Sequence, residues 1–131
     1  MYETIIDDNA NNVKLVIGRL FTLLGFKSKL LGTQYLQEAV LYQYGNVNDV
    51  RVGRTSSAYN AIACAHNSTC TRVERAIRNS IVNCHTQGAL KSFNILTHAP
   101  IIDAKFAPSN GEFMCSVVNW LRLETESGRI K

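Results

Sequence analysis

The feature that most constrains this chain is a three-residue polar turn, Asn67-Ser68-Thr69, with a helix-forming run on either side. Upstream, Ser56 to His66 reads Ser-Ser-Ala-Tyr-Asn-Ala-Ile-Ala-Cys-Ala-His and is rich in small residues. Downstream, Cys70 to His85 begins Cys-Thr-Arg-Val-Glu-Arg-Ala-Ile-Arg-Asn. Two helices joined by so few residues must cross at a steep angle. A helix-turn-helix needs a small residue in its first helix where the second packs closely, a turn residue that tolerates positive φ, and aliphatic anchors on the second helix. Ala63, Asn67, Val73 and Ile77 supply that set. Asn visits the left-handed region at modest cost, which suits it to the turn.

The downstream helix has two unlike faces. At about 100° per residue, Val73, Ile77, Ile81 and Cys84 fall on one stripe, and Thr71, Arg72, Glu74, Arg75, Arg78 and Asn79 fall on the other. Three guanidinium groups therefore share the outward side. Arginine's planar fork matches the two acceptors of guanine in the major groove of DNA, and a carboxylate accepts from the cytosine amino group. Glu74, Arg75, Arg78 and Asn79 are the candidate base contacts. Ser68, Thr69 and Thr71, beside the positive end of the helix, suit phosphate oxygens, which fix register without reading sequence. Arg72 at the edge of the face and Lys105 in a later loop complete the candidate phosphate contacts. Each role has a structural competitor. Thr71 and Glu74 stand in capping-box spacing, Glu74 and Arg78 stand as an i,i+4 ion pair, and a loop lysine is ordinarily just hydrated.

The remaining segments read as helical support. Asn12 to Leu24 carries Val13, Val16, Ile17, Leu20, Phe21 and Leu24 at helical spacing, with Gly25 as its stop. Thr33 is placed to cap a second helix, Gln34 to Tyr44, ended by Gly45, with Tyr35, Leu36, Ala39 and Val40 facing inward. Tyr42 and Tyr44 either donate to phosphates or sit half-buried at that helix end. Ala89 to Leu96 reads as a short helix, His98 to Pro108 as a loop. Ser109 and Glu112 form a capping box before a last helix with Phe113, Val117, Trp120 and Leu121 on its apolar face. The fold predicted is all-α, a compact bundle of about six helices containing a helix-turn-helix. Residues 1–12 form a flexible lead-in, 13–124 the domain, and 125–131 a frayed tail.

Composition excludes more than it selects. The 131 residues carry 14 Lys and Arg against 10 Asp and Glu, a net charge of +4, which favours an anionic partner only mildly. No stretch approaches the roughly eighteen apolar residues of a membrane span, and the N-terminus lacks the layout of a signal peptide. A cytoplasmic protein with no membrane partner is expected. Cys64, Cys70, Cys84 and Cys115 show no paired spacing and are expected to be thiols. Cys64, His66, Cys70, Cys84 and His85 invite a zinc reading, but the two-residue knuckles of zinc sites are missing. No Ser–His–Asp set, paired carboxylate cleft or phosphate-cradling glycine loop can be assembled. An enzyme, a cofactor and a metal are not expected.

The run Arg72-Val73-Glu74-Arg75-Ala76-Ile77-Arg78 resembles the recognition helix of the C-terminal effector domain in the stage zero sporulation protein A family of response regulators. Gly32-Thr33-Gln34-Tyr35-Leu36-Gln37-Glu38-Ala39-Val40 resembles that family's Gly-Tyr-x-Tyr-Leu-x-Glu-Ala-Ile. Ser109-Asn110-Gly111-Glu112-Phe113 through Leu121-Arg122-Leu123-Glu124 resembles its last helix. The three blocks keep their order and span the chain from about Gly18 to Glu124. The resemblance implies a six-helix domain that binds a short asymmetric box in double-stranded DNA, often as tandem copies, with base contacts from Glu74, Arg75 and Arg78. It also implies contact with the sigma subunit of RNA polymerase and pairing of copies as a homodimer or in tandem on DNA.

Three departures from the family pattern stand out. Cys70 replaces the usual Pro and so loses a pre-set φ, Asn79 replaces a His at a contact position, and Asn46 to Tyr59 diverges beside the first motif helix. The family's receiver domain has no room in the lead-in residues, which leaves an excised effector domain and a stand-alone relative both open. A sequence-specific DNA-binding transcription regulator is the function expected. The alternative is a protein-interaction module that keeps the fold and acts on a full-length regulator or on RNA polymerase without binding DNA itself.

Overall fold

The computed structural model, which describes residues 12–45, 55–87, 93–94 and 106–128, contains five α-helices and no strand among those residues. They are α1 (Val13–Leu24), α2 (Leu31–Gly45), α3 (Thr55–Ala65), α4 (Cys70–Thr86) and α5 (Asn110–Glu126). The sixth helix expected over Ala89 to Leu96 lies outside the described residues except for Phe93 and Asn94, and Phe93 is fully buried in the core. The lead-in 1–11, most of the divergent stretch before Tyr59, and the tail 129–131 also lie outside them.

Local chemistry sets the helix ends. Asn12 Oδ1 accepts from the Leu15 amide at 2.9 Å and opens α1, satisfying one of the donors a helix start leaves over. Gly25 at φ 84° closes it. The Gly25 and Phe26 amides donate back to Thr22 and Phe21 carbonyls, both at 3.1 Å, and the rings of Phe21 and Phe26 stack with centroids 4.8 Å apart. This is a Schellman end with its accompanying apolar contact. At α5 the capping box is complete, Ser109 Oγ accepting from the Glu112 amide and Glu112 accepting from the Ser109 amide.

The start of α2 differs from expectation. It begins at Leu31, so Thr33 lies inside the helix and is buried, not the cap. Gly32, in the first turn, lies against α4, where an added Cβ would sit 1.8 Å from the Ala76 carbonyl oxygen. Thr33 Oγ1 lies 3.4 Å from Ser80 Oγ. Close approach of two backbones, not capping chemistry, therefore dictates the residues here.

α2 touches all four other helices. Its buried Tyr35, Leu36, Ala39 and Val40 meet Val16, Ile17, Leu20 and Phe21 of α1 and Val117, Trp120 and Leu121 of α5 in one core. Tyr42 and Tyr44 pack half-buried at its edge, and Tyr44 Oη lies 2.6 Å from Thr125 Oγ1. That bond and the helix around it carry ordered structure past Glu124 to Glu126. No helix of the described residues is long and apolar enough to cross a membrane.

The cysteines divide by burial. Cys84 lies in the core with its Sγ donating to the Leu24 carbonyl, and burial pushes its thiol up to about 11. Cys64, Cys70 and Cys115 are exposed. Because the thiolate is the reactive form, an aromatic disulfide reagent at mildly alkaline pH should modify three thiols of the folded chain quickly, and Cys84 only after denaturation. Rapid modification of all four in the folded chain would contradict the packing of α4 on α1.

Candidate nucleic-acid interface

The turn between α3 and α4 is built as its residues dictate. Asn67 is the one non-glycine residue with positive φ among the described residues, at 52°. The Asn67 amide donates to the Cys64 carbonyl at 3.4 Å and the Ser68 amide to the Ala63 carbonyl at 2.8 Å. α3 therefore ends as α1 does, with Asn in the place of Gly. His66 Nε2 donates to the Glu38 carboxylate, 2.8 and 2.9 Å from its two oxygens, and its ring lies 5.0 Å from that of Tyr35. The turn is thereby tied to α2.

Thr69 caps α4, its Oγ1 accepting from the Arg72 amide at 3.2 Å. The capping-box competitor for Thr71 and Glu74 is thus removed, because the helix starts two residues earlier than that box requires. Cys70 occupies the first helical position, and its thiol donates to Asn60 Oδ1 on α3. Behind the cap, Val73, Ile77, Ile81 and Cys84 are fully or almost fully buried, as the spacing predicts. Ser80 joins them beside Thr33.

Thr71, Arg72, Glu74, Arg75, Arg78 and Asn79 are all exposed, and Ser68 is half-exposed. They do not form one uniform ridge. Arg75 and Thr71 stand opposite the buried stripe, Arg72 and Asn79 lean to the α2 side, and Glu74 and Arg78 lean towards α5. A cleft of about 660 Å³ on that flank is lined by Glu74 and Arg78 together with Tyr59, Cys70 and Asn110. Arg78 does not pair with Glu74, so the i,i+4 competitor is absent. Its Nη1 donates instead to the Pro108 carbonyl at 2.9 Å, ahead of α5. The side chains of Arg72 and Arg75 make no hydrogen bond or ion pair with another described residue. Lys105 lies outside the described residues.

Two supports of this surface escape a sequence reading. Gly32 and Ser80 bring α2 against one flank of α4. Asn110 reaches the other flank, its Nδ2 donating to Tyr59 Oη at 3.0 Å and to the Glu74 main-chain carbonyl at 3.1 Å. The small pair Ala76 and Ser80, at i,i+4 on the helix edge, was the available signal for the first. Nothing local signals the second, since its partners lie 36 and 51 residues away. The described residues hold no group of three or more His, Cys, Asp or Glu placed to bind a metal.

Fold and surface together define an all-α domain that holds one cationic helix outward on a rigid helical base. The family model described as Sporulation initiation factor Spo0A C terminal matches residues 17–121, from within α1 to within α5, and the chain belongs to that family. The family comprises DNA-binding effector domains of sporulation response regulators, acting in transcription regulation.

Proposed function

We propose that this domain is a sequence-specific DNA-binding transcription regulator, with α3 and α4 forming a helix-turn-helix and α4 lying in the major groove. The observation that carries the reading is the division of α4. Its inner face is locked into the core by Val73, Ile77 and Ile81, while the side chains of Arg72 and Arg75 project outward with no described partner. A rigid helix whose arginines are not already committed is what base readout requires.

Glu74, Arg75, Arg78 and Asn79 are assigned to base edges. Arg78 keeps this role with one N–H on the Pro108 carbonyl, because a guanidinium has five donors and the others remain for a base. Ser68, Thr69, Thr71 and Arg72 are assigned to phosphates. The Thr69 oxygen accepts from the backbone, yet its O–H is still a donor for a phosphate oxygen. Family membership supports a cytoplasmic setting, tandem or paired binding, and contact with the sigma subunit.

Selection of binders from a pool of random duplexes tests this reading. Enrichment of one short motif is the expected result; no enrichment, with a protein retained on the immobilised domain instead, would make the chain an interaction module. Affinity for the selected box should fall as salt rises, because phosphate contacts release counterions. Arg72→Ala should weaken binding to the box and to random DNA alike and lower the salt slope by about one. An unchanged slope would remove Arg72 from the phosphate contacts.

A further inference from the structure

We propose that Asn110 is a positioning residue that sets the angle at which α4 is presented, and through it the discrimination between the preferred box and other DNA. The second half of this statement rests on the reading of α4 as the DNA-reading helix. Asn110 is the first residue of α5 and only 8% exposed. Its Nδ2 carries two hydrogens, and the two acceptors it meets lie on different helices, Tyr59 Oη on α3 and the Glu74 carbonyl on α4. One amide nitrogen thus joins α5 to both α3 and α4, the two helices of the candidate helix-turn-helix.

The bond to Glu74 is not needed to satisfy that carbonyl. It belongs to the interior of α4, where it serves the N–H four residues on, and Asn110 uses its spare lone pair. A surplus bond of this kind adds little to the helix itself and fixes where the helix lies. The amide's own Oδ1 has no hydrogen-bond partner among the described residues, so all of its polar contribution comes through the donor side. Four residues further along α4, Arg78 Nη1 donates to the Pro108 carbonyl, so the start of α5 grips α4 at two successive turns. The capping box of Ser109 and Glu112 holds that start in place. On the opposite flank, Gly32 and Ser80 leave α4 no room to move towards α2. The positions of Arg75 and Asn79 are therefore fixed by a stop on one side and a tether on the other.

The test uses the full chain carrying Asn110→Leu, which keeps the approximate volume, adds no charge and removes the unpartnered Oδ1 along with the donors. Two measurements are made. Amide proton–nitrogen spectra should show shifts over residues 74–79 with the α1 amides unmoved. The preference for the selected box over random duplex should fall roughly tenfold, the loss of about one good base contact, with affinity for random duplex unchanged. Tyr59→Phe removes one of the two acceptors and should move the same amides by less; it carries both measurements if Asn110→Leu does not fold. Unmoved amides over 74–79 overturn the inference whatever the DNA result. So does an equal loss on both DNAs, which would make Asn110 a general support of the fold. Moved amides in a chain whose parent selects no box would uphold the orienting role and overturn the DNA reading alone.

Discussion

Gly32→Ala is expected to be among the most damaging single-methyl additions in the domain, costing about 3 kcal/mol and lowering the melting temperature by roughly 10 °C. Two opposing effects decide the sign. Replacing Gly by Ala within a helix is favourable by up to about 1 kcal/mol, and less in a first turn. Against this, the new Cβ would stand 1.8 Å from the Ala76 carbonyl oxygen, 2.4 Å from its carbon and 2.6 Å from Ser80 Oγ. The first two atoms are backbone within α4, so no rotamer change relieves the contact. α2 and α4 must separate, and with them the core residues Leu36, Val40, Ile77 and Ile81. Thermal unfolding followed by circular dichroism reads the outcome. A variant as stable as its parent would mean that the two helices do not meet at Gly32. Gly18 provides the control, since a Cβ there meets nothing within 4 Å, and Gly18→Ala should be neutral or mildly stabilising.

Arg75→Ala is expected to reduce affinity for the selected box by about 10- to 100-fold, or 1–3 kcal/mol, while affinity for random duplex changes little. Arg75 is the cleaner probe of base reading because its side chain projects from the open face and makes no hydrogen bond or ion pair with another described residue. Its removal breaks no side-chain hydrogen bond or ion pair among the described residues. Arg78→Ala should lose a similar amount at the box, but that variant also gives up the bond to the Pro108 carbonyl, so its loss combines readout with support. Arg78→Lys separates them, since an ammonium keeps a donor for Pro108 without the fork that matches guanine. Equal losses on box and random duplex for Arg75→Ala would remove base reading from this face.

The parts of the fold legible in the sequence are those set by local chemistry or by period. Val73, Ile77, Ile81 and Cys84 were readable as a buried stripe because each lies one helical turn from the next. Asn67 at positive φ, Gly25 at the end of α1 and the Ser109–Glu112 box follow from the demands of helix ends, which few residue types meet. The start of α2 lies earlier than the sequence suggests because Thr33 resembles a cap. Gly32 is instead a contact residue, and its partner Ala76 lies in another helix. The exposure of Thr71, Arg72, Glu74, Arg75, Arg78 and Asn79 was legible, since exposure follows the same period as burial. Their unequal surroundings were not. The turn of Arg78 towards Pro108, and of Asn110 towards Glu74 and Tyr59, depends on a crossing of helices that no local pattern encodes.

Because α4 is held between Thr33 and Pro108 to Asn110, its surface is assembled from segments 47 residues upstream of Ser80 and 30 to 36 downstream of Arg78 and Glu74. A chain emerging from the ribosome therefore releases the arginines well before it can aim them. On the proposed reading of α4, the nascent polypeptide attracts nucleic acid by charge alone until α5 has been synthesised and docked, and selectivity arrives only with the final helix.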